Sequence, residues 1–124
     1  MDERTESRRR MAAGAIAGTG VLHLALAPEY MGEQAYVGVL FILGAIAAFA
    51  VAIRLWNRDD AAAWALGSLV AAGMAIGFVL SRTVGLPGFH ESEWELSGLA
   101  SLALEGGFLA LAATALRRPQ ALAA

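Results

Sequence analysis

The sequence contains no cysteine and no lysine, and only 16% of its 124 residues are charged. Without cysteine there is no disulfide, no thiolate-bound zinc or iron–sulfur cluster, and no thiol–disulfide relay of the quinone-linked kind. All nine basic residues are Arg, which reflects codon composition more readily than mechanism. No Ser or Thr is paired by sequence context with a base and an orienting acid, so a hydrolytic centre has no support. A bis-histidine haem is disfavoured because His90, one of the two His, falls in a loop. No internal repeat stands out, which argues against an inverted-repeat transporter. No nucleic-acid partner is expected.

What the chain has in excess is apolar surface: 58% of its residues are hydrophobic and the mean hydropathy is +0.59, too apolar for a soluble domain of this size. A lipid bilayer is the expected solvent. A membrane-crossing helix needs about 20 mostly apolar residues, and four stretches qualify: 11–27, 35–56, 61–80 and 96–116. They are rich in Ala, Leu and Gly and lack the alternation of membrane strands. The expected fold is therefore an all-α membrane protein, a single bundle of four transmembrane helices, with poorly ordered polar ends over 1–10 and 118–124. Breaks are expected at Pro28 with Gly32, at Asn57 to Asp60, and at Gly85 to Gly88. Ser92 and Glu95 have capping-box spacing, predicting that the fourth helix starts near Glu93. Tyr30, Tyr36 and Trp94 fall at one set of span ends, and Trp56 and Trp64 at the other, as interfacial aromatic belts do.

Orientation follows from charge. Arg4, Arg8, Arg9, Arg10, Arg54, Arg58, Arg117 and Arg118 flank one side, which the positive-inside rule makes cytoplasmic, while Arg82 alone lies on the other. Both termini are then cytoplasmic, in a bacterial cytoplasmic membrane. The outer side carries Glu29, Glu33, Glu91, Glu93 and Glu95 against Arg82, a net of −4. The first span has features of a cleavable signal, but Pro28 directly after Ala25-Leu26-Ala27 would obstruct cleavage, and a retained helix is expected. Gly14 with Gly18, and Gly73 with Gly77 and Ser81, have the spacing of close helix contacts, read here as packing within one monomer ahead of a homodimer face.

Few residues carry chemistry. Glu105 is the tenth residue of its span, about 15 Å deep at ~1.5 Å per residue, where a carboxylate costs roughly 2.5–3.5 kcal/mol and normally faces a bundle interior or cavity. Ser97, Gly98 and Ser101 share its stripe. His23 lies about 6 Å below the outer end of the first span, on a stripe with Thr19, Gly20 and Ala27. Helical side chains lean toward their N-termini, so His23 and Glu105, on antiparallel spans, should converge and lose stability non-additively when both are replaced. Arg82 is expected to pair with Glu33, Glu95 or Glu105. The string His90 to Glu95 contains metal-ligand types but matches no metal motif, and it reads as a solvated acidic loop.

The pattern His23-x5-Glu29-x3-Glu33, followed by Ser81-Arg82-Thr83-Val84-Gly85-Leu86-Pro87 and later Glu105, resembles an uncharacterised family of small four-helix bacterial membrane proteins. The resemblance covers the outer halves of the spans and both outer loops. It implies the fold and the location and brings no activity with it. The family pattern also has an Asn in the third span and an acid shortly before the fourth-span Glu. Here the third span has neither Asn nor acid, and Ser101 and Leu102 stand near that second position.

These residues point to a polytopic protein of unassigned activity, with no positive sign of an enzyme, and with an outward-opening polar site. That site comprises His23, Glu105, Arg82, Glu29 and Glu33 and is expected to bind a proton or a divalent cation, with His23 and Glu105 as the metal ligands. The alternative is an accessory or assembly subunit of a larger membrane complex, its buried polar groups fixing helix register. A small proton-coupled exporter working as a dimer shares only the chain length.

Overall fold

The computed structural model describes residues 3–117, and the regular structure among them is helical, with no strand. The helices are α1 (Glu3–Glu33), α2 (Ala35–Asn57), α3 (Ala61–Arg82) and α4 (Leu96–Leu116). All four are long and apolar enough to cross a membrane. They pack as a ring in chain order, with α1 and α2 closest and α2 and α3 loosest. One end of the bundle, the acidic end, carries the α1–α2 turn and residues 83–95. The other, the arginine end, carries the α2–α3 turn and the start of α1.

The last three spans agree with the hydropathy reading to within two residues. The first does not. α1 runs straight through Pro28 and Gly32. Proline deletes the bond to the carbonyl four residues back and crowds it, so something must offset that cost. The turn beyond Pro28 places Tyr30 in a second small core with Val37 and Phe89. It also lets α2 close on α1: a Cβ at Gly38 would stand 2.6 Å from Met31 Cα, and Gln34 alone separates the two helices.

At the arginine end the expected polar segment 1–10 is helical from Glu3 onward. Its anchor is Arg9, 6% exposed, whose guanidinium donates to the carbonyls of Leu55 (2.5 Å) and Trp56 (2.7 Å). A helix leaves its last carbonyls without internal partners, and Arg9 supplies them for α2. The polar end expected over 118–124, with Met1 and Asp2, lies outside the described residues.

The main core joins Ile16, Val51, Leu55, Trp64 and Phe108 to closely packed alanines. Trp64 belongs to this core and not to an interfacial belt: it is 1% exposed, its indole N–H donates to Asp59 (2.8 Å), and its ring lies 5.7 Å from Phe108. Tyr30 is likewise buried, whereas Tyr36, Trp56 and Trp94 are exposed at the bundle ends. Span position alone cannot tell an inward aromatic from an outward one. Leu43, Ile46, Ile53, Leu69 and Ile76 point outward and leave the mid-bundle surface apolar.

α4 begins at Leu96, not near Glu93, and Glu95 makes no side-chain cap. Its carboxylate is taken by Arg82 instead. Residues 83–95 fold back over the bundle: Leu86 and Phe89 exchange backbone hydrogen bonds, and the Glu91 N–H donates to the Ser81 carbonyl at 2.9 Å.

Candidate functional site

Glu105 is 1% exposed and sits nine residues into α4, about 14 Å from its start at ~1.5 Å per residue. Its Oε2 lies 2.6 Å from the Thr19 hydroxyl of α1 and 2.6 Å from the Ser101 hydroxyl one turn earlier on α4. Those two hydroxyls are 2.5 Å apart. Three oxygens thus form a closed triangle, and Thr19 (0% exposed) and Ser101 (6%) are sealed with it.

His23 stands one turn further along α1. Its Nδ1 lies 2.8 Å from the Thr19 carbonyl and 3.4 Å from the Thr19 hydroxyl. A carbonyl only accepts, so Nδ1 carries the hydrogen, and in the neutral ring Nε2 keeps a lone pair. The ring packs against Phe41 of α2, with centroids 4.6 Å apart. His23 and Glu105 therefore converge on one residue, Thr19, which stands between them. Both Thr19 and Ser101 share stripes with the residues they serve, a signal already present in the spacing.

Arg82 closes the acidic end. It donates to Glu95 (2.5 Å), the Tyr30 hydroxyl (3.0 Å), the Glu93 carbonyl (3.0 Å) and the Ser81 hydroxyl (2.8 Å), and its guanidinium lies 4.3 Å from the Phe78 ring centroid. Of its three expected carboxylate partners, Glu95 is the one it meets. Glu29 and Glu33 are exposed at the rim and do not join Glu105. No group of three or more His, Asp or Glu suited to a metal ion occurs among the described residues.

A cavity of about 460 Å³ runs from the level of Glu105 to Arg82. His23, Ser101 and Glu105 mark its deep end, Arg82 and Glu95 its shallow end, and nearly all between is apolar. Leu86 and Phe89 of the folded-back loop cover the acidic end. The open side lies instead between α2 and α3, where the lining residues Leu40, Leu43 and Leu69 are more than half exposed. Gly73 and Gly77 make this space. A Cβ on either would meet nothing within 4 Å, so these two glycines line open space and make no close helix contact within the chain.

Comparison of the chain with protein-family models, with curated proteins and with solved structures finds no match.

Proposed function

We propose that the protein is a small multi-pass binding protein of the bacterial cytoplasmic membrane, both termini cytoplasmic, in which Glu105 exchanges a proton with the cavity beside it. The observation that carries this is the oxygen triangle. Its three short contacts need three hydrogens, and the Thr19 and Ser101 hydroxyls supply two. A proton on Glu105 supplies the third, with Glu105 donating to Thr19, Thr19 to Ser101 and Ser101 back to Glu105. When that proton leaves, both hydroxyls turn to the carboxylate. The carboxylate then keeps two donors, and only the Thr19–Ser101 contact, left without a hydrogen, must lengthen. A proton suits it better than a divalent ion, which would need a third ligand.

An apolar carbodiimide tests the reading, because it reaches carboxyls from the lipid phase and attacks only their protonated form. The expected result is a single adduct at Glu105, slower to form as pH rises and absent in Glu105→Gln. A folded protein in which Glu105 stays unlabelled at every pH overturns the exchange and leaves the carboxyl as a register-fixing group of an accessory subunit.

A further inference from the structure

The cavity is larger than a proton requires, and its chemistry is lopsided. A volume of about 460 Å³ falls within the roughly 300–1,000 Å³ of small-molecule sites. Between its polar ends its walls are chiefly the side chains of Leu, Val, Phe and Met, with Ser97 of α4 and the bare backbone of Gly73 and Gly77 on α3. At its deep end two acceptors have no protein donor. Glu105 Oε2 takes both hydroxyls, while Oε1 accepts no hydrogen bond from any described residue. His23 is bonded through Nδ1 alone, which leaves Nε2 without a partner in the same way. The only fully enclosed side-chain polar atom lacking a partner among the described residues is Arg9 Nε. Oε1 and Nε2 are therefore not sealed in protein, and both residues line the cavity.

An acceptor that faces a cavity and has no donor from the protein is satisfied by whatever fills the cavity. Two such acceptors, one of them a carboxyl, call for a group with several N–H donors and a positive charge. The rest of the cavity calls for a hydrocarbon body. Access is from the side: α2 and α3 are the loosest neighbours, and the loop 83–95 covers the acidic end.

We propose that the cavity binds a single-chain amphiphile with a primary or secondary ammonium head, which enters between α2 and α3. Its head donates to Glu105 Oε1 and His23 Nε2, and its chain lies along Gly73 and Gly77. This rests on the reading of Glu105 as an exchangeable carboxyl, since the ammonium takes the place of the proton. An anionic head would bring no donor to His23 Nε2 or Glu105 Oε1 and would meet a like charge whenever Glu105 is ionised. A quaternary ammonium has the charge without the N–H donors and should bind less well. Arg82 does not repel the ligand, because Glu95 already neutralises it.

The test uses the full chain in nanodiscs of neutral phosphatidylcholine, with decylamine as probe and decanol and decyltrimethylammonium as controls, read by native mass spectrometry and thermal stability. Decylamine should bind one per chain and raise the unfolding temperature, and each control should bind at least tenfold more weakly. Glu105→Gln should weaken decylamine at least tenfold. Gly73→Leu should abolish binding without loss of stability, because the new side chain enters open space and replaces a poor helix former. Equal binding of decylamine and decanol, undiminished binding to Gly73→Leu, or a phospholipid chain that decylamine does not displace would overturn the proposal. Carbodiimide labelling of Glu105 together with failure to bind decylamine would reject the amphiphile and keep the proton site.

Discussion

Glu95 turns its carboxylate away from the helix it precedes and onto Arg82, 2.5 Å from Nη2. A first-turn amide would have been the usual partner for an acid at that position. The Arg82 side chain is 4% exposed and that of Glu95 28%, so the guanidinium is the more costly group to leave unpaired. Arg82→Ala removes the charge with its four hydrogen bonds and should destabilise the protein in detergent by about 3 kcal/mol. That is the low end for losing one partner of a buried pair, because Glu95 can be rehydrated. Arg82→Lys should fall between, since one ammonium cannot reach Glu95, Tyr30, Ser81 and the Glu93 carbonyl together. Thermal unfolding measures both, and parent-like curves for both variants would make the pairing energetically irrelevant.

The competition for Glu95 also shows where sequence reading stops. Span number and the limits of α2, α3 and α4 follow from hydropathy alone, because any long apolar run must satisfy its backbone internally. The pairing of Thr19 with Ser101 was half legible: each shares a stripe with His23 or Glu105, but no spacing says that the two stripes face each other. Pro28 reads as a break because local propensity opposes a helix there, and the burial of Tyr30 that outweighs it comes from Phe89, far along the chain. The cavity was not legible at all. Gly73 and Gly77 have the spacing of a helix contact, and only the distance between α2 and α3 distinguishes a contact from a void.

At the arginine end Asp60 caps α3 and holds Arg54. Its Oδ1 accepts from the Ala62 N–H (3.0 Å) and its Oδ2 from Arg54 Nε (3.0 Å). The Arg54 hydrogen bond, aided by the Ala62 and Ala63 amides, holds the carboxyl below the ordinary aspartate value of 3.8 despite the opposing effect of burial. A lowered folded-state pKa gives stability that is fully present above the unfolded value and lost as pH falls through the folded one. Asp60→Asn should therefore be less stable than the parent at neutral pH, and the gap should narrow below about pH 4. A gap that is constant with pH would show that the carboxylate charge is not what matters.

The proposed topology predicts reporter behaviour directly. A reporter active only outside the cytoplasm should be active when fused after Gly88 or Gly32, and inactive after Asn57 or Arg118, because eight of the nine Arg flank the other side. The Gly88 fusion is the more informative outer site, since it follows three complete helices. Activity after Asn57 would invert the bundle and put the acidic end in the cytoplasm.

The oxygen triangle makes a prediction about coupling. Thr19→Val or Ser101→Ala alone leaves Glu105 one hydroxyl partner, so each should cost about 1–2 kcal/mol. The double variant leaves a carboxyl at 1% exposure with no donor from either helix, and its loss should exceed the sum of the single losses by roughly 1 kcal/mol. Adding Glu105→Leu should then recover stability, because an apolar group among apolar neighbours is cheaper than an acid with both of its hydrogen bonds missing. His23 provides the contrast. Its Nδ1 is held by the Thr19 carbonyl at 2.8 Å, a bond that Thr19→Val keeps, so His23→Ala should combine with Thr19→Val almost additively. On this geometry the strong coupling expected from the sequence between His23 and Glu105 belongs instead to Thr19, Ser101 and Glu105. Chemical unfolding of the single, double and triple variants decides it. Additive losses throughout, or a triple variant weaker than the double, would mean that the three oxygens do not act as one unit.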